Sequence, residues 1–483
     1  SNDTKTKAVT KMIQLFKMKV LIFCILYFVI VRGEIQKNTN SAYAIESESE
    51  DIFGLILKIY NVKENWMDVP INHFDLFDKR TYKMRYYVNE KHFKPGGPII
   101  IEIGGEWKID GLSLIMGTLA ELGKEHNALL IETEHRYYGE SLPFGKNFTV
   151  ENLRYLQIEQ ALEDLAYFIE HFKMANPDYK DSKVIIHGCS YPGMLATWMR
   201  VRFPHVVDIS YASSTPLGVG LEYPGFFEIV NDIYGKISSD CIETIKIGVN
   251  ETMELLKTSD GRAQVREAFN KWECGNINEM NSMQIIGKIV TVLNVIHDPS
   301  NYEEKACLAM ANDTELKAFE QLAHFVILKS QHIATCKDEE PEEKDLDSIA
   351  WSYQTCTELG TFQALNRKNA HHPFEMDITF EESVEECVKT FGETFIGRVL
   401  TTGIKRVNRR YGRKKPVVSK VVTIQGLHDP WKHLARLTDY GPDAPVWVIN
   451  GSYCADVLPR DDDSKEVTQI RIKVKELISK WLK

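Results

Sequence analysis

The sequence holds no Cys-x-x-Cys pair, no internal repeat, no basic excess, and no histidine after His433. Each absence excludes something. Without closely paired cysteines there is no ligand set for a structural zinc, and no metal is expected. Lys and Arg number 58 against 68 Asp and Glu, so the net charge is −10 and nucleic acid is not an expected partner. The apolar run Val20–Val31 stops at 12 residues, where a bilayer-spanning helix needs about 20. The missing late histidine bears on catalysis.

What is present points to export. Lys11, Lys17 and Lys19 precede Val20–Val31, which fits the apolar core of a signal peptide with cleavage after Gly33. A signal anchor is the alternative. Residues 1–33 are read as the signal region and 34–55 as a polar leader, with no membrane span once the signal is removed. Cys24 leaves with the signal, and eight of the nine cysteines remain. An even set in an exported chain suggests disulfides, whose pairing is not legible. Asn147, Asn250, Asn312 and Asn450 head acceptor sequons for N-glycosylation. A secreted or lysosomal destination follows.

The chemistry is signalled by Lys183 to Arg200. Val184, Ile185 and Ile186 make a short β-branched run that reads as a buried strand. Gly188-Cys189-Ser190-Tyr191-Pro192-Gly193 follows, then a helix-forming stretch from Met194. Strand, tight glycine-flanked turn with a central serine, and helix make a nucleophile elbow. The turn lifts the Ser190 hydroxyl to a sheet edge, and N–H groups at the helix start face a developing oxyanion. Tyr191 and the Gly104-Gly105 turn are candidates for the oxyanion donors. Pro192 displaces the second glycine by one position, and a residue before proline avoids the α region, so a slight deformation of the elbow is expected.

Along the chain, residues 80–89 alternate and read as an edge hairpin strand. Strands are expected at 98–103 and 128–131, with 206–209 leading into 212–216. Helices are expected at 112–124 and 151–173. Alternation of this kind predicts an α/β class with a parallel sheet covered on both faces. The texture changes at Leu217. From there to 345 the chain is mostly helical and carries Cys241, Cys274, Cys307 and Cys336, as an insertion between core strands would. Strand signals return at 351–356, 421–424 and 445–449, and a helix over 468–482 closes the chain. The domain reading is therefore 56–216 core, 217–345 helical insertion, 346–483 core. The basic run Lys405 to Lys415 reads as a solvated face, with a polyanion patch or processing site as the alternatives.

An elbow serine needs a general base and an acid to orient it, in chain order Ser, acid, His. Asp429 follows the strand at 421–424 and is the acid candidate. The loop after 445–449 is Asn450-Gly451-Ser452-Tyr453-Cys454-Ala455-Asp456, and it holds no histidine. Four motifs now matter. These are Asn72-His73-Phe74-Asp75, Gly104-Gly105-Glu106, Glu134-His135-Arg136-Tyr137-Tyr138-Gly139-Glu140-Ser141, and Trp351-x-Tyr353-Gln354-Thr355-Cys356-Thr357-Glu358. With them the chain resembles, over nearly all of 65–480, the secreted and lysosomal serine peptidases that include prolyl carboxypeptidase, dipeptidyl peptidase II and, most closely, thymus-specific serine protease. The resemblance implies an α/β-hydrolase core with an inserted, mostly helical cap. It also implies exopeptidase cleavage next to proline or other small residues, without metal or cofactor; the oligomeric state is left open, a homodimer being one option. It gives Ser190 the nucleophile's place and Asp429 the acid's. Tyr453 stands at the family's histidine position, and Pro192 departs from the family's Gly-Gly-Ser-Tyr-Gly-Gly.

A phenol near pKa 10 is neutral at working pH and holds its proton too tightly to take one from serine. Among the other histidines, His428 and His433 lie near Asp429 in sequence, and His433 is the one placed to swing in. His187 and His135 read as packed or structural, and His371-His372 as a surface turn. Two readings stay open: a non-catalytic relative that keeps a peptide-binding pocket, and an active exopeptidase with a substitute base.

Overall fold

The computed structural model describes residues 54–483 apart from 227, 270–279, 281, 295–301, 313–314, 331–344, 364–379, 394–397 and 461–462. The signal region, most of the leader, Cys274, Cys336 and His371-His372 lie outside the described residues. Eight strands form the central sheet: β1 (Val62–Pro70), β2 (Thr81–Asn89), β3 (Ile99–Ile103), β4 (Leu129–Thr133), β5 (Val184–Cys189), β6 (Ile209–Ser213), β7 (Val421–Gly426) and β8 (Val446–Ile449). Their order is β1-β2-β4-β3-β5-β6-β7-β8. β2 runs antiparallel to β4, and every pairing from β4 to β8 is parallel. This is the α/β-hydrolase arrangement. The central strands are Ile- and Val-rich because both faces are covered, which leaves no solvent side for alternation to mark.

Helices α1 (Thr118–Glu125), α2 (Ile158–Ala175) and α3 (Tyr191–Arg202) follow β3, β4 and β5. Leu162, Leu165, Phe168 and Ile169 of α2 and Leu195, Trp198 and Met199 of α3 are buried in one cluster with β3, β4 and β5. Near the C-terminus, α4 (Leu346–Gln354) packs into the same cluster through Ala350 and Tyr353. The last helix, α5 (Lys465–Leu482), packs on β8, and its Lys475 bridges Glu121 (2.7 Å) and Glu125 (3.2 Å) of α1.

Helices Glu228–Ile237, Ser239–Leu255, Ser259–Ala268, Ser282–Asn294 and Ala318–Ser330 surround a second apolar cluster that includes Ile233, Val249, Val265, Ile289 and Leu322. Cys241–Cys307 crosslinks this layer. The cluster reaches the loop that carries Asp429: Trp431 stacks on Tyr223 with ring centroids 5.4 Å apart.

Several local expectations are corrected. Residues 80–89 are not an edge: β2 lies between β1 and β4. Residues 351–356 are not a strand. α4 runs through Gln354 and widens into a π-turn over Thr355–Leu359. Aromatic and β-branched residues there mimic strand propensity, but Asp345 caps the helix by accepting from Ser348 N–H (3.1 Å). The helix expected at 112–124 is split into a 3₁₀ turn, Leu112–Leu114, and α1. The one expected at 151–173 is a short turn, Val150–Leu153, and then α2.

Candidate active site

The elbow is formed, and Pro192 does not distort it. Ser190 sits at φ 64°, ψ −125° between β5 and α3. Its N–H donates to Ser213 C=O (2.9 Å) and its C=O accepts from Met194 N–H (2.9 Å). Tyr191 opens α3 in spite of the proline after it. Pro192 falls in the first turn, where a missing N–H leaves no hydrogen bond unmade. The displaced glycine does the expected work. A Cβ on Gly193 would lie 2.9 Å from Gly188 O, and one on Gly188 would lie 2.3 Å from the Pro192 carbonyl carbon. The strand and the helix could not approach so closely otherwise.

The oxyanion candidates converge on this turn. Tyr191 N–H is among the first amides of α3, which have no partner inside the helix. Gly105 follows β3 at the same sheet edge, and a Cβ there would lie 2.8 Å from Pro192 Cγ. The Gly104-Gly105 turn therefore rests on the start of α3.

Asp429 follows β7 and is fully buried. Its Oδ1 accepts from Trp431 N–H (2.8 Å) and its Oδ2 from Gln425 Nε2 (3.0 Å). Ser214 also hydrogen-bonds it. Burial pushes the carboxyl up to about 7. No arginine or imidazole contacts it among the described residues.

Tyr453 follows β8 and reaches the elbow from the opposite loop. Its hydroxyl hydrogen-bonds the Ser190 side chain. Burial first, and then the nearby charge of Glu106, hold its proton far above the usual phenol range. The disulfide Cys189–Cys454 joins the residue before Ser190 to the residue after Tyr453. Cys454 N–H donates to Ser214 Oγ (2.9 Å), so Ser214 connects this loop to Asp429.

Among the described residues, the candidate histidines lie elsewhere. His428 Nε2 pairs with Asn450 Oδ1 (2.8 Å). His433 is 46 % exposed and stands 3.7 Å from Glu228, not turned to Asp429. His187 is buried against Glu102 beneath the elbow, with Ser213 Oγ 3.4 Å from its other nitrogen. Of the candidate glycosylation sites, Asn147 and Asn450 are exposed and Asn250 is partly buried, while the Asn312 side chain lies outside the described residues.

Two of the sequence motifs interlock behind the elbow in a directional chain. Tyr138 hydroxyl donates to Gln354 Oε1 (2.6 Å), and Gln354 Nε2 donates to Tyr191 hydroxyl (2.8 Å). Tyr191 hydroxyl then meets His135 Nε2 (3.0 Å), and His135 Nδ1 meets Arg136 C=O (2.8 Å). A carbonyl only accepts, so Nδ1 carries the proton and Nε2 receives the Tyr191 hydrogen. Burial lowers His135 to about 4, which keeps it neutral in this role. Arg136 is forked onto Asp164 (2.6 Å on each oxygen), which also takes His73 (2.7 Å) and Tyr82 (2.8 Å). These ties fix the ring of Tyr191, whose N–H is an oxyanion candidate. Spacing alone gave no hint of them.

Residues 69–474 match the serine carboxypeptidase S28 family. The chain belongs to that family. Among S28 relatives, mouse thymus-specific serine protease is 27 % identical over 454 residues, covering 87 % of this chain and 88 % of that protein. Mouse lysosomal Pro-X carboxypeptidase is 29 % identical over 394 residues, covering 76 % and 78 %. A prolyl carboxypeptidase-like protein of Caenorhabditis elegans is 26 % identical over 467 residues, covering 88 % and 90 %. This S28 chain also carries the disulfide Cys356–Cys387 beside the second interlocking motif.

Proposed function

We propose that this chain is a lumenal or secreted S28 serine-exopeptidase homologue whose hydrolytic step is lost or strongly impaired, and which keeps its peptide pocket as a binding surface. Its fold, its elbow and an orienting acid are those of acyl transfer at a serine. No imidazole takes the base's place among the described residues. One observation carries the reading: the group hydrogen-bonded to Ser190 is the Tyr453 phenol, not an imidazole. A neutral phenol accepts a hydrogen bond but not the serine proton, and here the fold holds its own proton tighter still. Loss of a triad member costs about 10⁴ to 10⁶ in rate, and about 10³ to 10⁴ over water remains from the oxyanion hole and binding.

Passage through the secretory pathway is part of the proposal, with the signal region removed and glycans on the exposed sequons. The disulfides Cys189–Cys454, Cys241–Cys307 and Cys356–Cys387 favour an oxidising compartment. The similarity to a lysosomal carboxypeptidase favours the same route. The ligand is a peptide, as in the family reaction at proline or small residues.

Labelling with a fluorophosphonate tests the centre, with Ser190→Ala as control. Weak labelling that Ser190→Ala barely changes is expected. Strong labelling that Ser190→Ala abolishes would mean that Ser190 is activated and the proposal wrong.

A further inference from the structure

Among the described residues Glu106 is an acid without a counter-charge, beside the site. It follows Gly104-Gly105 at the sheet edge that carries Ser190 and Tyr453. Its Oε2 is sealed from solvent and has no hydrogen-bond partner among the described residues. Several other buried carboxylates have a cation, whereas Asp429 and Glu132 have hydrogen-bond donors instead. Asp164 has Arg136, Glu134 has Arg85, and Glu358 has Arg406. Around Glu106 stand hydroxyls instead, those of Tyr138, Tyr191 and Tyr453, each of which its charge raises. Burial lifts Glu106 itself to about 7, as an unpaired carboxyl requires.

The next residue supplies a second and independent feature. Trp107 is 48 % exposed, although its ring lies against the site: a Cβ on Gly105 would meet the indole at 2.6 Å and Pro192 at 2.8 Å. An open indole face beside an uncompensated carboxylate is the chemistry that receives an ammonium group, through charge and cation–π attraction together.

We infer that Glu106 and Trp107 form a receptor for the protonated amino terminus of a peptide whose following residues lie toward Ser190. This rests on the peptide-binding reading of the site and adds to it the end of the peptide that is held. The amino terminus is the anchor, and a blocked peptide is a poor ligand.

The test is calorimetric titration of the full chain in a Ser190→Ala background, which prevents turnover, at about pH 7.5. The probes are Ala-Pro-amide and N-acetyl-Ala-Pro-amide, which differ in one charge. The free amine is expected to bind about tenfold or more tightly than the acetylated probe, the size of one charge-assisted hydrogen bond. Glu106→Gln should erase that preference while leaving the affinity of the acetylated probe near its starting value. Trp107→Ala, at an exposed position, should weaken the free amine alone. Equal binding of the two probes, or a preference that survives Glu106→Gln, overturns this inference and leaves the reading of the catalytic centre standing. Binding of neither probe overturns both this inference and the binding half of the proposed function.

Discussion

Cys189 and Cys454 are joined across 265 residues of sequence, and their neighbours Ser190 and Tyr453 are held in hydrogen-bonding contact beside them. The crosslink ties the elbow after β5 to the loop after β8. Those are the two loops that a serine and its base would occupy. Replacing both cysteines by serine should lower stability by about 2 to 5 kcal/mol, read as a fall in the urea midpoint. A non-reducing peptide map should yield the 189–454 crosslinked peptide. An unchanged midpoint would show that the two loops are held without it.

Asp164 balances the fully buried guanidinium of Arg136. Asp164→Ala leaves that cation without a partner and should cost about 3 to 5 kcal/mol in chemical denaturation, enough to threaten expression. Its carboxyl is held below the usual range in spite of burial, chiefly by the Arg136 charge. That contribution is therefore present at neutral pH and lost as pH falls through the lowered value. Asp164→Asn, which keeps the shape, should remove this acid limb of the stability profile.

Three other buried acids set the opposite limb. Burial lifts Glu106 and Asp429 to about 7. Glu132 is raised to about 8, by burial first and then by the charges of Glu102 and Asp110. Each favours the fold in its protonated form, so this stabilisation is full below the unfolded carboxyl range and is lost as pH rises through 7 to 8. His135, held near 4, works against it below about pH 6.5, because the fold needs a neutral ring. Three acids outweigh one imidazole. The melting temperature should be higher at about pH 5.5 than at about pH 8, and Glu132→Gln should flatten the difference. A melting temperature that rises steadily toward pH 8 would contradict these assignments.

Some of this was legible in the residues. Val184-Ile185-Ile186 and Ile99–Ile103 announce buried strands because little else in the chain is so densely β-branched, and Gly188, Ser190 and Gly193 announce the elbow. Asp429 is a candidate acid because it follows a strand at whose edge an acid is expected. The loop after β8 was placed the same way, and Tyr453 with it. Other features were not legible, for physical reasons. β2 looks like an edge because its alternation matches a half-exposed strand, while its place between β1 and β4 depends on pairing far along the chain. The segment Trp351–Cys356 has strand-like composition but is held as a helix by its Asp345 cap and by the burial of Gln354 between Tyr138 and Tyr191. The joining of Cys189 to Cys454 follows from strand order, which no cysteine spacing encodes. Glu106 stood in a recognised motif, but its lack of a counter-charge is visible only in three dimensions.

The central claim is that Ser190 lacks only a proton acceptor. Its most direct test is the rate at which Tyr453→His and the unaltered chain hydrolyse a short proline-containing peptide. The account predicts a rise of about 10³-fold or more on substitution, with Ser190→Ala returning the rate to background. Brisk hydrolysis by the unaltered chain that Tyr453→His does not increase would contradict it.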